Sequence, residues 1–221
     1  MDKKIYHGSQ RIVRSPKFGA GHQYNDFGLG FYCSEYPGRA AEWATGHGGN
    51  GFVSAYSLDP EGLRVINLCS QQYTPLHWLS LLFNYREFDT SSDSAHRARE
   101  YINENFSVDH QGCDCIIGYR ADNSCFMFAQ DFLDGRIPYR AFRDAVTRSD
   151  SNRQFVLKSN RAFDRVVFLG YEPAFAADSR PSAFSRELKA IRSAAGRAND
   201  NDLYVSQLIR EEVKPYDPRL R

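Results

Sequence analysis

The stretch Asp26-Phe-Gly-Leu-Gly-Phe-Tyr-Cys-Ser-Glu-Tyr-Pro-Gly-Arg-Ala-Ala-Glu-Trp-Ala44 decides the fold of this chain. Its aromatic run between glycines predicts a short strand over residues 30–34. Pro37 stands where the first turn of a helix tolerates proline, and a helix is predicted to continue over residues 39–45. An aromatic strand therefore leads directly into a helix whose small residues face inward.

Upstream of this stretch, the short run Ile5-Tyr6-His7 predicts a separate strand that stops at Gly8. Glycine has no Cβ atom, so a ligand amide could approach the backbone closely at this point. His7 and Ser9, on either side, are able to hydrogen-bond to ribose hydroxyls. Taken alone, the tripeptide is also typical of a turn at the end of a strand.

The aromatic strand carries two neighbouring rings with different surroundings. Strand alternation predicts that Phe31 and Tyr32 lie on opposite faces. One ring then packs in the core, and the other is able to stack on a pyridinium ring. Two aromatic residues that simply fill a sheet would show the same pattern.

The rest of the chain predicts an α+β protein, because short strands with helices collected between them favour this class over a doubly wound sheet. Further strands are expected over residues 52–58 and 63–68, as partners, and over 115–118, 153–158 and 166–170; helices are expected over 74–85, 93–105, 124–133 and 138–147. After Pro173 the composition changes to Ala, Ser and Arg, with helical stretches at 182–195 and 201–213. We therefore predict a domain over residues 1–173 and a C-terminal helical extension over residues 174–221, which packs on the domain or orders on a partner.

The composition is ordinary for a soluble globular protein, with 42% hydrophobic and 25% charged residues among 221. The formal net charge of +1 gives no overall attraction to nucleic acid or membrane, so any such affinity must come from local patches. No apolar run approaches the roughly 18–20 residues that a membrane span requires. The first residues carry no apolar signal-peptide core, so we expect a cytoplasmic protein with no membrane partner.

The five cysteines are an odd number, which argues against a disulfide framework in a chain without a secretory signal. Cys113 and Cys115 are separated by one residue, one short of the commonest zinc spacing, and no second pair follows. We therefore expect buried, reduced thiols and no metal.

Together, His7-Gly8-Ser9, a loop, Gly28-Leu-Gly-Phe-Tyr32 and a helix of small residues resemble the diphtheria-toxin and poly(ADP-ribose) polymerase branch of the ADP-ribosyltransferase superfamily. A bacterial family of that superfamily is more similar still. Its pattern is matched by a Trp-Leu helix, a short strand followed by Ala-Asp, and a strand that opens with glutamine, at residues 77–86, 114–123 and 153–157. The resemblance covers about residues 4–173.

The resemblance implies split antiparallel β-sheets with flanking helices, and NAD as the substrate. The enzyme would cleave the nicotinamide–ribose bond and transfer ADP-ribose to an acceptor. His7 would bind the adenine-side ribose, the Gly8 backbone would bind the nicotinamide carboxamide, and Tyr32 would stack on the nicotinamide. The cofactor-binding residues implied in these two segments are His7, Gly8, Ser9, Gly30, Phe31 and Tyr32.

Gln154 is where this chain departs from the better-known branch, which has a glutamate at the start of the matching strand. An amide can still hydrogen-bond to the 2′-hydroxyl of the nicotinamide ribose, but it has no negative charge and cannot act as a base. We therefore expect transfer of a single ADP-ribose rather than polymer elongation. Either the acceptor is already a good nucleophile, or a carboxylate, Asp122 or Asp26, supplies the charge.

Two further candidates have two interpretations each. Arg86, near a helix end, either meets the pyrophosphate of NAD or is a solvated charge. Asp122 either contributes to the site or forms a turn with Asn123.

The acceptor is expected to be a macromolecule. Local basic clusters motivate a nucleic-acid acceptor, RNA or DNA, although charged faces of amphipathic helices look the same and a protein acceptor is the alternative. The clusters are Arg11/Arg14/Lys17, Arg136/Arg140/Arg143/Arg148/Arg153 and Arg186/Lys189/Arg192/Arg197. Such an enzyme would serve as a bacterial toxin, a toxin–antitoxin component or a phage-defence factor, with an antitoxin or immunity protein as a partner. A catalytically weak NAD- or ADP-ribose-binding module and an NAD glycohydrolase are the competing functions.

Overall fold

The computed structural model describes residues 2–46, 48–176, 191 and 202–221. Its strands are β1 (Lys3–Ser9), β2 (Phe31–Cys33), β3 (Gly51–Leu58), β4 (Val65–Asn67), β5 (Cys115–Tyr119), β6 (Arg153–Leu157) and β7 (Val166–Ala174). Its helices are α1 (Pro37–Thr45), α2 (Pro75–Leu82), α3 (Asp93–Phe106), α4 (Asn123–Leu133), α5 (Tyr139–Thr147), α6 (Asn160–Phe163) and α7 (Val205–Arg210). The α+β class is therefore confirmed. None of the helices in these ranges has the length and hydropathy that crossing a membrane requires.

The strands form two sheets. In the three-stranded sheet the order is β1-β3-β7, and both pairings are antiparallel. In the four-stranded sheet the order is β2-β6-β5-β4; β2 and β6 are antiparallel, whereas β4 and β5 are parallel. The prediction of antiparallel sheets is therefore wrong at β4, because the long connection through α2 and α3 brings the chain back in the same direction.

The predicted pairing of residues 63–68 with residues 52–58 is also wrong. Both edges of β3 are already occupied, by β1 on one side and by β7 on the other. Since a strand has only two edges, β4 pairs with β5 in the other sheet instead.

The two sheets meet at β1. This strand does not stop at Gly8, as predicted, but continues to Ser9, because it pairs with β3 over its whole length. On its other edge, Tyr6 and Ser34 exchange two backbone hydrogen bonds of 2.8 Å. This bridge is isolated, so the pairing between β1 and the segment that contains β2 ends there.

Helix α1 packs on the three-stranded sheet through small residues. The buried cluster between them contains Ala40, Ala44, Val53 and Ala174. A Cβ atom at Gly8 would lie only 1.7 Å from the carbonyl oxygen of Ala40. The close approach of β1 and α1 therefore requires glycine at this position, quite apart from any ligand.

The described chain divides into two compact units. The first contains α1, α6 and the two sheets apart from the last residue of β5; it draws on residues 2–67, 110–118 and 149–176. The second contains α2 to α5 and α7, from residues 68–109, 119–148 and 202–221. The border between these units does not coincide with the boundary predicted at residues 173 and 174. The helix predicted over residues 182–195 lies outside the described residues.

The second unit is built around buried aromatic side chains. Trp78 is fully buried, and its indole Nε1 donates to the carbonyl oxygen of Tyr119 over 2.7 Å. The hydroxyl of the buried Tyr139 donates to the carbonyl oxygen of Leu220 over 3.1 Å. Residues 202–221, the described end of the predicted extension, are therefore an integral part of this unit.

Candidate functional site

His7 connects the two sheets at the point where their pairing ends. Its Nδ1 atom lies 2.8 Å from the carbonyl oxygen of Tyr32. Because a carbonyl oxygen only accepts, Nδ1 carries the proton. Burial lowers the pKa of His7, and the hydrogen bond to Tyr32 opposes this shift only in part. The imidazole is therefore uncharged at neutral pH, with a lone pair on Nε2.

The backbone of Gly8 faces the edge at which the sheets separate. Successive residues of a strand direct their N–H and C=O groups to alternate edges. Tyr6 directs both groups to Ser34, so Gly8, two residues later, directs its own to the same edge. Continued pairing would set Gly8 opposite Tyr32, but the bridge is isolated and the Tyr32 carbonyl accepts from the His7 side chain. Gly8 thus presents a donor and an acceptor side by side at this edge.

Tyr32 and Phe31 lie on opposite faces of β2, as the alternation predicts. Phe31 is buried, with its ring centroid 4.4 Å from that of His7, while Tyr32 is half-buried. The Tyr32 hydroxyl donates to the carbonyl oxygen of Gly28 over 2.7 Å and accepts from the amide of Phe27 over 3.0 Å. The Tyr32 side chain is therefore held in place at its hydroxyl end.

Gly30 precedes β2 at a point where β6 comes close. A Cβ atom at this position would lie 2.5 Å from Cγ1 of Val156 and 2.9 Å from the carbonyl oxygen of Leu157. A larger residue would push the start of β2 away from β6. Glycine is therefore needed here for strand pairing.

Gln154 shares one face of the four-stranded sheet with Tyr32. Tyr32 is paired with Val156, and residues two apart on a strand point to the same side. Only 2% of the Gln154 surface is exposed, and its Nε2 atom donates to Oδ2 of Asp26 over 3.0 Å. Asp26 is also buried. Of the two carboxylates that the sequence suggested as a source of negative charge, Asp26 lies beside Gln154.

Asp26 stands on a tight turn that its neighbours hold in place. The amide of Gly28 donates to the carbonyl oxygen of Asn25 over 2.9 Å, and Gly28 has a φ of +70°, which favours glycine. Lys158, just after β6, donates through Nζ to the carbonyl oxygen of Phe27. The turn that carries Asp26 is thereby tied to the strand that carries the glutamine.

Lys158 is the member of this group that the sequence analysis did not identify. Strand alternation through Gln154 and Val156 predicts that the next residue on the same face is Lys158. This alternation is the sequence pattern from which Lys158 could have been identified. Burial lowers the pKa of the Lys158 ammonium, and the nearby Cys113 acts in the opposite direction.

The structure shows contacts outside this group for three other predicted site residues, which are Ser9, Arg86 and Asp122. The Ser9 hydroxyl donates to the carbonyl oxygen of Arg11 over 2.7 Å. In the second unit, the guanidinium of Arg86 lies 5.4 Å from the ring centroid of Phe126. This cation–π contact occupies one face of Arg86.

Asp122, in the same unit, caps α4. Its carboxylate accepts from the amides of Ser124 and Cys125 and lies 3.4 Å from the guanidinium of Arg148. These contacts favour the structural interpretation of Asp122. Of the predicted residues, the structure therefore brings His7, Gly8, Tyr32, Gln154 and Asp26 into one group, all in the first unit.

The basic cluster before β6 is balanced by acidic neighbours. Within the described residues each of its five arginines has a carboxylate oxygen within 3.4 Å; the pairs are Arg136–Asp131, Arg140–Asp202, Arg143–Asp144, Arg148–Asp122 and Arg153–Asp150. In the first cluster, the Arg14 guanidinium lies over the ring of Phe168. The third cluster, at 186–197, lies outside the described residues. The arginine pattern alone is therefore weak support for phosphate binding.

The cysteines are free thiols. Cys33 and Cys115 are buried, and burial raises the pKa of both, which makes them poor nucleophiles. In the part of the chain that the structure describes, no three His, Cys, Asp or Glu side chains are grouped so that they could hold a metal ion.

Neither a curated protein nor a solved structure matches this chain significantly. A family model does match, over residues 3–168. This span is more than half of the chain and includes every residue from His7 to Gln154 in the group above. The chain therefore belongs to DUF3990, a family whose description is "protein of unknown function".

Proposed function

We propose that the chain is an NAD-dependent mono-ADP-ribosyltransferase, with a fold of the ADP-ribosyltransferase type. The observation that carries this proposal is the hydrogen bond from His7 Nδ1 to the Tyr32 carbonyl oxygen. It joins the two sequence motifs that resemble the nicotinamide-binding half of such enzymes, at the edge where the two sheets separate.

The chemical groups at this edge suit NAD. A carboxamide has an acceptor oxygen and two donor hydrogens, which match the N–H and C=O of Gly8. The ring of Tyr32 suits stacking on the cationic nicotinamide. The lone pair on Nε2 of His7 suits a ribose hydroxyl as the donor.

The reaction breaks the bond between C1′ of the ribose and N1 of the nicotinamide. Both electrons of the bond go to the nicotinamide nitrogen, so the leaving group departs neutral and needs no strong acid. The ribose passes through an oxocarbenium-like transition state, as in glycoside hydrolysis. A nucleophilic atom of the acceptor then forms a bond to C1′ and loses its proton to solvent.

Transfer of a single ADP-ribose fits the chain better than polymer elongation. Elongation uses a sugar hydroxyl as the acceptor, which needs a base to remove its proton. Gln154 is an amide and does not serve as one. The acceptor is therefore a better nucleophile on a protein or a nucleic acid, and the ion-paired arginines before β6 give no preference for nucleic acid. The role as a toxin or defence factor, and the antitoxin that it implies, stay predictions.

The glutamine itself favours the second candidate, a module that binds NAD or ADP-ribose without cleaving it. Release of nicotinamide from NAD by the purified chain separates the two. We expect release in the wild type and a loss of about 100-fold or more in His7→Ala and Tyr32→Ala. His96→Ala and Tyr216→Ala are matched controls, because both side chains are exposed.

The outcomes are distinct. Binding of NAD without release supports the binding module, and release without transfer of labelled ADP-ribose to RNA, DNA or lysate protein supports an NAD glycohydrolase. Absence of nicotinamide release overturns the proposed transferase, whether or not NAD binds.

A further inference from the structure

We propose that Asp26 is a positioning residue for Gln154, and that the two together replace the single glutamate of related enzymes. This inference rests on the proposed function. Its basis is the 3.0 Å hydrogen bond from Nε2 of Gln154 to Oδ2 of Asp26, between two buried side chains that lie 128 positions apart in sequence.

The Asp26 carboxylate determines the orientation of the Gln154 side-chain amide. A glutamine side chain has a donor nitrogen and an acceptor oxygen, whereas an ionised carboxylate only accepts. Pairing with Asp26 therefore directs Nε2 toward position 26 and Oε1 away from it. Oε1 is then the atom that accepts from a ribose hydroxyl, in the role that a carboxylate oxygen has in related enzymes.

The carboxylate also supplies the charge that an amide lacks. Hydrogen bonds in sequence polarise one another, so an anionic acceptor on Nε2 raises the electron density on Oε1. A negative charge one amide away still attracts an oxocarbenium ion, and burial of Asp26 reduces the screening by water. The negative charge then lies on Asp26, one side chain further from the ribose than Gln154. The neutral Oε1 of Gln154 is the atom that contacts the ribose hydroxyl.

The support of Asp26 is rigid enough for this role. Its turn is closed by the Gly28–Asn25 hydrogen bond and held by Lys158 and by the hydroxyl of Tyr32. Tyr32 is also the proposed nicotinamide-stacking residue. The same side chain therefore positions both the leaving group and the carboxylate.

A purely structural role for the Asp26–Gln154 bond predicts a different response to substitution. If the bond only holds the turn in place, exchanging the two groups changes little beyond stability. If the bond serves the reaction, the exchange changes the pH dependence of the rate. The reason is that the carboxylate then stands at position 154, where it contacts the ribose directly.

The test uses three variants of the full chain: Asp26→Asn, Gln154→Glu and the double exchange Asp26→Asn/Gln154→Glu. We expect D26N to lower kcat for nicotinamide release by about 100-fold while the KM for NAD changes by less than about threefold. Q154E places two carboxylates side by side, so they share a proton and the rate acquires a new dependence on pH. The double exchange restores one carboxylate and one amide, and we expect its kcat to recover to within about tenfold of the wild type.

Thermal unfolding of each variant separates these effects from loss of structure. If D26N does not fold, the double exchange, which keeps the hydrogen bond, decides the question: a pH–rate profile that differs from that of the wild type supports the inference, and an unchanged profile overturns it. A folded D26N with the wild-type rate overturns it, and so does a folded double exchange no faster than about 1% of the wild type. A wild-type chain that releases no nicotinamide overturns the proposed function and this inference with it.

Discussion

Nδ1 of His7 donates to the carbonyl oxygen of Tyr32, so a side chain joins two strands where their backbone pairing has ended. The tautomer follows from this bond, and the tautomer leaves Nε2 as an acceptor. One imidazole thereby combines a structural atom, Nδ1, with the atom that the proposed function assigns to the ligand, Nε2, and substitution can separate the two.

His7→Asn tests this separation. The asparagine amide nitrogen occupies nearly the position of Nδ1 and still donates to Tyr32, but no atom replaces Nε2. We expect its free energy of unfolding to stay within about 1 kcal/mol of the wild type, while NAD binding weakens by about tenfold. Urea unfolding and calorimetric titration with NAD measure the two quantities. Unchanged NAD affinity in H7N contradicts a ligand role for Nε2.

Tyr32→Phe keeps the ring and removes the hydroxyl that holds residues 27 and 28. The buried amide of Phe27 loses its acceptor, so we expect a loss of stability of about 1–3 kcal/mol. Because the ring remains, NAD affinity should change little, whereas kcat should fall as the turn that carries Asp26 loosens. Tyr216→Phe, at an exposed tyrosine, is the control. A drop in affinity as large as in Tyr32→Ala would show that the hydroxyl itself contacts the ligand.

Gly8→Ala and Gly38→Ala make the same chemical change with opposite expectations. A Cβ atom at Gly8 would lie 1.7 Å from the carbonyl oxygen of Ala40, so α1 must move and we expect a loss of about 1–3 kcal/mol. At Gly38, in α1 itself, a Cβ atom meets nothing within 4 Å, and alanine should stabilise the helix by up to about 1 kcal/mol. Urea unfolding of both variants checks the signs. Equal stability of the two variants contradicts the packing argument.

His77 makes the second unit sensitive to acid. Its Nδ1 accepts from the amide of Thr74 over 2.9 Å, and a protonated imidazole cannot do so. Burial, together with the charge of Arg221, lowers the pKa of His77 from 6.5 to about 4. Because the pKa in the folded state is the lower one, the stabilisation is complete above pH 6.5 and is lost as the pH falls toward 4, by about 3 kcal/mol in all.

His77→Gln removes this titration and retains a side chain that suits the capping box of α2. Between pH 7.5 and pH 4.5, the free energy of unfolding of the wild type should fall by about 2–3 kcal/mol more than that of H77Q. His96→Gln, at an exposed histidine, should behave like the wild type. The same pH dependence in H77Q and the wild type would rule out His77 as the acid-sensitive group.

Local patterns predicted the elements, and non-local geometry decided how they pair. The helices at Asn123–Leu133 and Tyr139–Thr147 lie where periodicity and start signals predicted them, because both signals act within a few residues. The partner of β4 depends instead on which edges of β3 are occupied. No pattern within a three-residue strand contains that information.

The candidate site shows the same division. His7 and Tyr32 were identified from short motifs, and the structure adds the hydrogen bond between their segments. For the missing charge, the sequence suggested Asp26 and Asp122 alike. Only the fold separates them, because Asp122 caps α4 while Asp26 faces Gln154.

The span between Asp26 and Gln154 has a consequence for the order of events during synthesis. A nascent chain that has emerged only as far as α5 already contains His7, Tyr32 and Asp26, but it lacks β6, the strand that pairs with β2. The Asp26 carboxylate then has no amide to orient, and Tyr32 has no neighbouring strand on that edge. If the proposed function holds, a ribosome-bound fragment is therefore inert until β6 has been translated.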